Sequence, residues 1–488
     1  MLNWNNSSIF ATLVALIIIA PVFAIFYSAF LGDTSLWPHL FSTVLPRYIS
    51  NTIILMLGVG ILSSILGVST AWVVTRYDFF GKNFFEWALL LPAAVPAYII
   101  AYTYTDFLEY AGPVQKIIRE FFNFQNPDQY WFPEIRSMEG AIFVMSFVLY
   151  PYIYMTTRAS FLTVPISFFQ TSLIYGRSSF FSVALPLARP GIIAGLALVL
   201  METVSDFGTV EYFALETLTL GVFNVWLGMN SLSGASQISS VLFVFVVVLL
   251  TIEYLARRNQ RFHEKSSGQN MLESKETSNF KKVGCFTVCT IPIVIGFVVP
   301  VSILLNFVFS GFSIIDFTQI FYTSFFSITL ALVGAFFVML ASIFLILISQ
   351  YKSNNFQKSL IFLASCGYAL PGTILAVGMV IFLGWINKYL HLHLSYVAGG
   401  FIVLIFAYVV RFLAVGNASI RSGILKIHPN AMDASLTMGA GFYRGVKVVI
   451  MPLILSNILI GGILVFVDIL KELPITLLLR PFNFETLA

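Results

Sequence analysis

The sequence is poor in charge. Asp, Glu, Lys and Arg make up only 10% of its 488 residues, whereas soluble domains contain about 25%. Hydrophobic residues make up 58%, and 50 of them are phenylalanine. A water-soluble core does not need this much apolar material, so the composition excludes an ordinary soluble enzyme and predicts an all-α polytopic membrane protein. The apolar runs are continuous rather than alternating, which argues against a membrane β-barrel.

Residue types that carry site chemistry are also scarce. Cys285, Cys289 and Cys366 lie in apolar runs without metal-ligand spacing, and we interpret them as small buried hydrophobic residues. No Gly-x-x-x-x-Gly-Lys-Ser/Thr loop is present, so the chain lacks the usual cradle for nucleotide phosphates. We therefore expect no enzymatic activity, no cofactor, no metal centre and no nucleic-acid partner. His391 and His393 are interpreted as a solvated pair in an external loop.

Apolar stretches long enough to cross a bilayer, which takes about 20 residues, number eleven. They are 9–31, 50–75, 84–105, 140–157, 187–206, 238–256, 284–310, 323–349, 359–386, 396–417 and 453–472. Of the 26 Lys and Arg residues, we assign 19 to one alternating set of connections. The positive-inside rule places this set in the cytoplasm. The lipid bilayer is thus the first predicted partner.

Two halves are related by sequence. A polar stretch at 257–282, rich in Lys, Arg, Ser, Asn and Glu, is typical of a solvated cytoplasmic linker. It separates a first module, 1–256, from a second module, 283–488. Landmarks of the first module match landmarks of the second at an offset of about 266 residues, for example Pro186 with Pro452 and Gly195 with Gly461. Six spans precede the linker, so the two modules are predicted to be parallel repeats.

The most informative stretches each join the fourth and fifth spans of a module. The second holds, in order, Pro429, Asp433, Ala434, Ser435, Gly439 and Pro452; the first holds Gln170, Thr171, Ser172, Gly176 and Pro186. A proline can open a short helix, and glycine favours the left-handed conformation that ends one. Small side chains between them allow another protein to approach closely. We call 170–186 the first knob and 433–452 the second knob, and we expect both on the cytoplasmic face.

The knobs resemble the signature of ABC-importer permeases, which is Glu-Ala-Ala, a glycine four residues later and Leu-Pro thirteen residues after the glycine. The second knob keeps this spacing, with Asp433 in place of Glu and Met451-Pro452 in place of Leu-Pro. The first knob is three residues shorter between its glycine and its proline. The segments 201–213 and 465–488 are similar to those of ferric-iron permeases with two fused modules.

The resemblance implies a MetI-like fold of two six-span repeats in the bacterial inner membrane. It also implies that a separate ATPase subunit, a dimer, docks on the knobs and that a periplasmic iron-binding protein docks on the outer face. Fe³⁺ would then cross by alternating access. The family continues into a twelfth span, whereas this second module has five, so we expect the chain to be incomplete at its C-terminus.

Acidic residues lie at the outer end of the fifth span of each module. They are Glu202 and Asp206, then Asp468 and Glu472, with Glu211 following in the first module. A spacing of four places both members of a pair on one face of a helix. Because hard cations prefer carboxylate oxygens, we interpret these acids as part of the substrate path. The alternative is that they lie at the water interface and bond to neighbouring helix ends.

Three other functions stay open. One is a permease of the same kind for another solute, such as thiamine or phosphonate. Another is a secondary, ion-coupled transporter, which would need an acid near mid-membrane; the span centres are nearly free of acids. The third is a membrane scaffold that transports nothing.

Overall fold

The structure, a computed structural model, describes residues 6–31, 35–258, 278–311, 316–351, 354–390, 398–428 and 430–488. Its first twelve helices are α1 (Asn6–Leu31), α2 (Trp37–Ser42), α3 (Leu45–Arg76), α4 (Lys82–Ala88), α5 (Ala97–Leu108), α6 (Pro113–Phe122), α7 (Met138–Leu162), α8 (Ile166–Ile174), α9 (Leu185–Ser205), α10 (Gly208–Tyr212), α11 (Leu218–Phe223) and α12 (Leu232–Arg258). The others are α13 (Asn279–Ile293), α14 (Val299–Gly311), α15 (Phe317–Tyr351), α16 (Asn355–Ala364), α17 (Gly372–Leu390), α18 (Ala398–Leu425), α19 (Ala431–Thr437), α20 (Phe442–Gly445), α21 (Met451–Lys471) and α22 (Pro474–Leu479).

The predicted class is confirmed. Within the described residues, ten helices are long and apolar enough to cross a membrane, and a bent pair brings the number to eleven. No strand occurs in the same residues. The chain is therefore a multi-pass, all-α membrane protein.

The third span of each module is broken, so the prediction of continuous spans at 84–105 and 359–386 is wrong. In the first module, Lys82–Ala94 and Ala97–Phe122 meet at an angle of 86°. In the second, a tight turn at Ser365–Ala369 separates α16 from α17. Pro96 and Pro371 explain both breaks, because proline donates no hydrogen bond and forces an extended backbone on the residue before it. Those residues, Val95 and Leu370, have ψ angles of 129° and 131°.

The structure divides into two compact units. The first-half unit contains residues 40–221 and 244–315; the second-half unit contains 1–39, 222–243 and 316–488. In the first-half unit, α3, α7 and α9 pack into a three-helix core, and in the second-half unit α15, α18 and α21 do the same. The second, fourth and fifth spans thus form the core of each unit, as expected for a repeat.

The first helix of each sequence module packs in the unit that contains most of the other module. Helix α1 packs against α16 and α17, whereas α13 packs against α3 and α14 against α5. Packing units and sequence modules are thus different divisions of the chain. The modules at 1–256 and 283–488 stay a prediction, and most of the predicted linker, 259–277, lies outside the described residues.

Cross-linking can test this exchange. The rings of Tyr27 on α1 and Trp385 on α17 have centroids 5.0 Å apart. In a background with Cys285, Cys289 and Cys366 replaced by alanine, cysteines at both positions and a protease site in the 259–277 segment should allow a short bis-maleimide cross-linker to keep the two chain fragments joined after cleavage. Either single-cysteine variant should release them, as judged on a denaturing gel. Equal release from the double variant would contradict the packing of α1 on α17.

Candidate functional site

The first knob is a helix that ends on a left-handed glycine. Helix α8 begins after Pro165 and its chain reverses at Gly176, where φ is +61°. The Arg177 N–H donates to the Ser172 carbonyl at 2.9 Å. This bond satisfies a carbonyl that the helix end would otherwise leave unpaired. The predicted turn at Gly176 is therefore present.

The second knob has the same backbone. Its glycine, Gly439, has φ of +86°, and the Ala440 N–H donates to the Ser435 carbonyl at 3.0 Å. Each knob also buries one serine whose hydroxyl donates to the carbonyl three residues earlier, at 2.8 Å for both Ser172 and Ser435. The sequence of the first knob has diverged, but its geometry has not. Pro429, expected to open the second knob, lies outside the described residues.

The three-residue difference between the knobs lies in one helical turn. Both fifth spans begin with a π-helical turn, at Phe180–Ala184 and Val446–Ile450. Only the second has the extra turn α20 ahead of it, and three residues make about one turn. Pro452 is the second residue of α21, where the sequence predicts that the next helix begins, but the π-turn and α20 extend the same span back to Phe442. Pro186 is likewise preceded by the π-turn, a common accommodation of a lost hydrogen bond.

The outer surface of each knob is exposed and partly apolar. Gln170 and Thr171 are exposed in the first knob, as are Asp433 and Ala434 in the second. Large apolar side chains beside them are also uncovered; they are Leu173, Ile174, Tyr175, Leu436 and Met438. Exposed apolar groups that cluster at one place on a protein mark interaction surfaces.

An aromatic cluster fixes the first knob to a spanning helix. The ring of Trp72, on α3, lies 6.2 Å from the ring of Phe169 on α8, and it also contacts Phe161 and Phe180. The guanidinium of Arg76 lies 5.5 Å from the centre of the Phe169 ring. The first knob is thus packed against α3 through aromatic and cation–π contacts.

The second acid of each pair ends its helix and caps the next one. Asp206 accepts hydrogen bonds from the N–H groups of Thr209 at 2.8 Å and Val210 at 3.2 Å. Glu472 accepts one from the Ile475 N–H at 3.2 Å. Both acids leave their helices with extended ψ angles. Asp206 nevertheless stays close enough to Glu202 to interact with it electrostatically, so the expected proximity of that pair holds at the helix end.

Glu472 is also paired with a cation that the sequence did not connect to it. Its Oε2 lies 3.1 Å from Nε of Arg411, and Arg411 donates to the Leu370 carbonyl at the break in the third span. Both side chains are buried. A Cβ added to Gly372 would lie 2.6 Å from the Glu472 carboxylate, so glycine makes room for the pair.

Two expectations change as a result. Arg411, one of the 19 basic residues assigned to the cytoplasmic connections, stands instead at the midpoint of α18. Glu472, predicted at the outer end of the fifth span, is buried against the middle of α18. This pairing could not be read from spacing, since 61 positions separate the partners.

The other candidate acids are less enclosed. Glu202 on α9 and Asp468 on α21 are half-buried and each makes polar or electrostatic contacts; Glu211 is exposed on α10. Helix α10 packs against α5, and its cap, Asp206, lies close enough to Tyr98 to interact electrostatically. In the second-half unit, α22 packs against α17 in the same way. The acidic helix ends thus adjoin the broken third spans in both units, a juxtaposition that Pro96 and Pro371 could have indicated.

Similarity to known proteins covers nearly the whole chain. The Fe(3+)-transport system permease protein FbpB 2 of Haemophilus influenzae is 24% identical over 92% of this chain and 84% of its own length. The ferric transport system permease protein FbpB of Actinobacillus pleuropneumoniae is 21% identical over 93% of this chain and 68% of its own length. The chain has the fold and the sequence of an ABC-importer permease. No family model matches it.

Single-module permeases match part of the chain. The sulfate transport system permease protein CysT of Synechococcus elongatus is 28% identical over 93% of its own length but only 54% of this permease. This relative therefore matches about half of the chain, which agrees with a chain that contains two permease modules.

The buried pair gives a stability prediction. Arg411→Met should lower the free energy of unfolding by about 3–5 kcal/mol, because it leaves a buried carboxylate without its cation. Arg411→Met combined with Glu472→Gln should recover most of that loss, since glutamine still accepts from Ile475. Thermal unfolding of the purified variants in detergent measures both. A double variant no more stable than the single one would show that the pair contributes nothing as a unit.

Proposed function

We propose that this permease is the membrane subunit of an ATP-driven importer of ferric iron in the bacterial inner membrane. A separate ATPase, acting as a dimer, binds the two knobs. A periplasmic iron-binding protein delivers Fe³⁺ to the outer face, and alternating access carries it inward. The relatives that span nearly the whole chain and are named for Fe³⁺ transport support the substrate.

The observation that carries the mechanism is the shared geometry of the knobs. Two exposed helices with the same glycine turn, the same buried serine and uncovered apolar side chains suit one repeated partner. A dimeric ATPase offers two equivalent grooves, so a duplicated permease needs two equivalent knobs. Divergence at Gln170-Thr171 concerns exposed side chains and leaves the backbone unchanged.

The acidic helix ends support a cationic substrate. Carboxylate oxygens are the preferred ligands of hard cations, whereas an anion path would use Arg or helix N-termini. The two halves are not equivalent, however. Glu472 is held by Arg411, while no cation pairs with Asp206 among the described residues. Asp206, with Glu202 and Glu211 near it in sequence, is therefore the better candidate for contact with iron, and Asp468 and Glu472 contribute less.

A secondary transporter is the second candidate, favoured by one observation: Glu472 is buried against the middle of α18. An ion-coupling acid has to gain and lose its proton or sodium during each cycle. Glu472 is buried in an ion pair and caps α22 at the same time, so its carboxylate is already engaged by contacts within the protein. We therefore place it in the scaffold. Uptake that persists in vesicles without any ATPase would favour the secondary transporter.

Substitution of the knob glycines tests the ATPase interface. Gly439→Val should reduce co-purification of the cognate ATPase and iron uptake together. A branched side chain at a positive φ costs roughly 1–2 kcal/mol, while no atom lies within 4 Å of the added Cβ. The loss would thus come from the backbone turn and not from a clash. Gly176→Val should act in the same direction if both knobs bind.

The matched controls are Gly439→Asn and Gly176→Asn, because asparagine tolerates the left-handed conformation. They should retain ATPase association. Association that is unchanged in both valine variants would remove the knobs from the interface. A defect confined to Gly439→Val would assign the interface to the second knob alone.

Asp206→Asn separates the charge of the helix cap from its hydrogen bonds. Asparagine caps helices as well as aspartate does, so the thermal midpoint should stay close to that of the wild type. Uptake of radiolabelled Fe³⁺ should fall roughly tenfold, the effect of losing one charge-assisted contact. Asp206→Ala should lose both stability and uptake. Normal uptake by Asp206→Asn, and by a variant with alanine at Glu202, Asp206, Asp468 and Glu472, would take these acids out of the path.

A further inference from the structure

A basic cavity lies at the knob end of α18 in the second-half unit. Its volume is about 270 Å³, and it is lined by residues of α15, α16 and α18. Lys358 on α16 and Arg421 on α18 bring two positive charges to its wall. No described carboxylate lies within ion-pairing distance of either cation.

The first half of the chain contains a position that corresponds to this cavity. Helices α7 and α18 align with Leu162 on Leu425, and the third spans align with Pro96 on Pro371. In these registers Arg158 corresponds to Arg421, Glu86 to Ile361 and Tyr154 to Asn417. The duplication therefore supplies an internal reference.

The first-half position is neutral and filled. Arg158 pairs with Glu86 at 2.8 Å, and the Tyr154 hydroxyl donates to the Glu86 carbonyl at 3.2 Å. The large Tyr154 ring is fully buried there. The charge of Arg158 is paired and the space is filled within the chain, while its buried Nε has no hydrogen-bond partner.

The second half has neither the carboxylate nor the large ring at this position. Ile361 stands where the carboxylate would be, and Asn417 is much smaller than tyrosine, which leaves the cavity. Asn417 is 5% exposed. Its amide nitrogen donates to Ser365 at 2.7 Å, while its buried Oδ1 has no hydrogen-bond partner. An unpaired buried acceptor is costly, so a ligand that carries a donor would stabilise the site.

We propose that this cavity binds a phosphate-bearing anion, which neutralises Lys358 and Arg421 as Glu86 neutralises Arg158. Phosphate oxygens accept strong charge-assisted hydrogen bonds from both cations, and a hydroxyl or ammonium group on the ligand can donate to Asn417. The cavity opens between spanning helices on the predicted cytoplasmic side. Anionic lipid headgroups bind in basic pockets of this kind, and free phosphate is the other source of the same chemistry.

Binding to the purified full-length permease tests the site with two probes. One is fluorescent phosphatidylglycerol in phosphatidylcholine nanodiscs, and the other is inorganic phosphate added to the same nanodiscs without that lipid. Lys358→Gln and Arg421→Gln should each weaken binding about fivefold, the effect of one cation near the membrane surface. Arg158→Gln removes the aligned cation, which already has its own carboxylate, and should leave binding unchanged.

A reverse variant distinguishes loss of the binding site from misfolding. Ile361→Glu with Asn417→Tyr installs the first-half residues, and it should abolish binding while a cooperative thermal transition is retained. Binding of phosphatidylglycerol alone identifies a lipid site, and binding of inorganic phosphate as well identifies a site for soluble phosphate. Equal affinity of the wild type, Arg421→Gln and the reverse variant for both probes would overturn the proposal.

Discussion

A bilayer offers no water to the peptide groups inside it, so every helix that breaks or ends there must satisfy its backbone from within the protein. The acidic residues of this permease follow from that constraint. Asp206 and Glu472 accept from the first N–H groups of α10 and α22, and Arg411 donates to a carbonyl exposed by the break at Pro371. Side chains that form such hydrogen bonds with the backbone have a fixed position. A charge fixed near a broken span can interact with a substrate there.

Duplication lets the two halves be compared as variants of one backbone. At the helix end that follows the fifth span, the second half holds its acid in an ion pair with Arg411, whereas Asp206 in the first half is bonded to N–H and hydroxyl groups. At the C-terminal end of the fourth span the order reverses: Arg158 is paired, and Arg421 faces a cavity. In each half, one of these two positions is held in an ion pair, and the other has no opposite charge among the described residues. The proposed iron path and the proposed anion site lie at the two positions without an opposite charge.

Local patterns were sufficient to predict the spans and the knobs. Long apolar runs are helices in a bilayer because nothing else satisfies their backbone, and glycine at Gly176 and Gly439 specifies a left-handed turn whatever surrounds it. The breaks were missed because averaged hydropathy does not register a single proline such as Pro96. The pairing of Arg411 with Glu472, and the packing of α1 on α17, are tertiary contacts between distant positions. No spacing rule predicts such contacts.

The fifth spans join the two parts of the proposed mechanism. The helix that leaves the first knob ends at Asp206, and the helix that leaves the second knob ends at Glu472. At 1.5 Å per residue these helices are about 40 and 45 Å long, and both carry a π-turn next to the knob. An α-helix transmits a displacement along its axis, because its backbone hydrogen bonds run nearly parallel to that axis. A partner that moves the knobs would therefore move the acidic caps and, through α10 and α22, the broken third spans packed against them. Each knob also contacts the second span of its module through aromatic rings, Trp72 with Phe180 in the first half and Tyr351 with Phe442 in the second, so a displacement of either knob would reach that span as well.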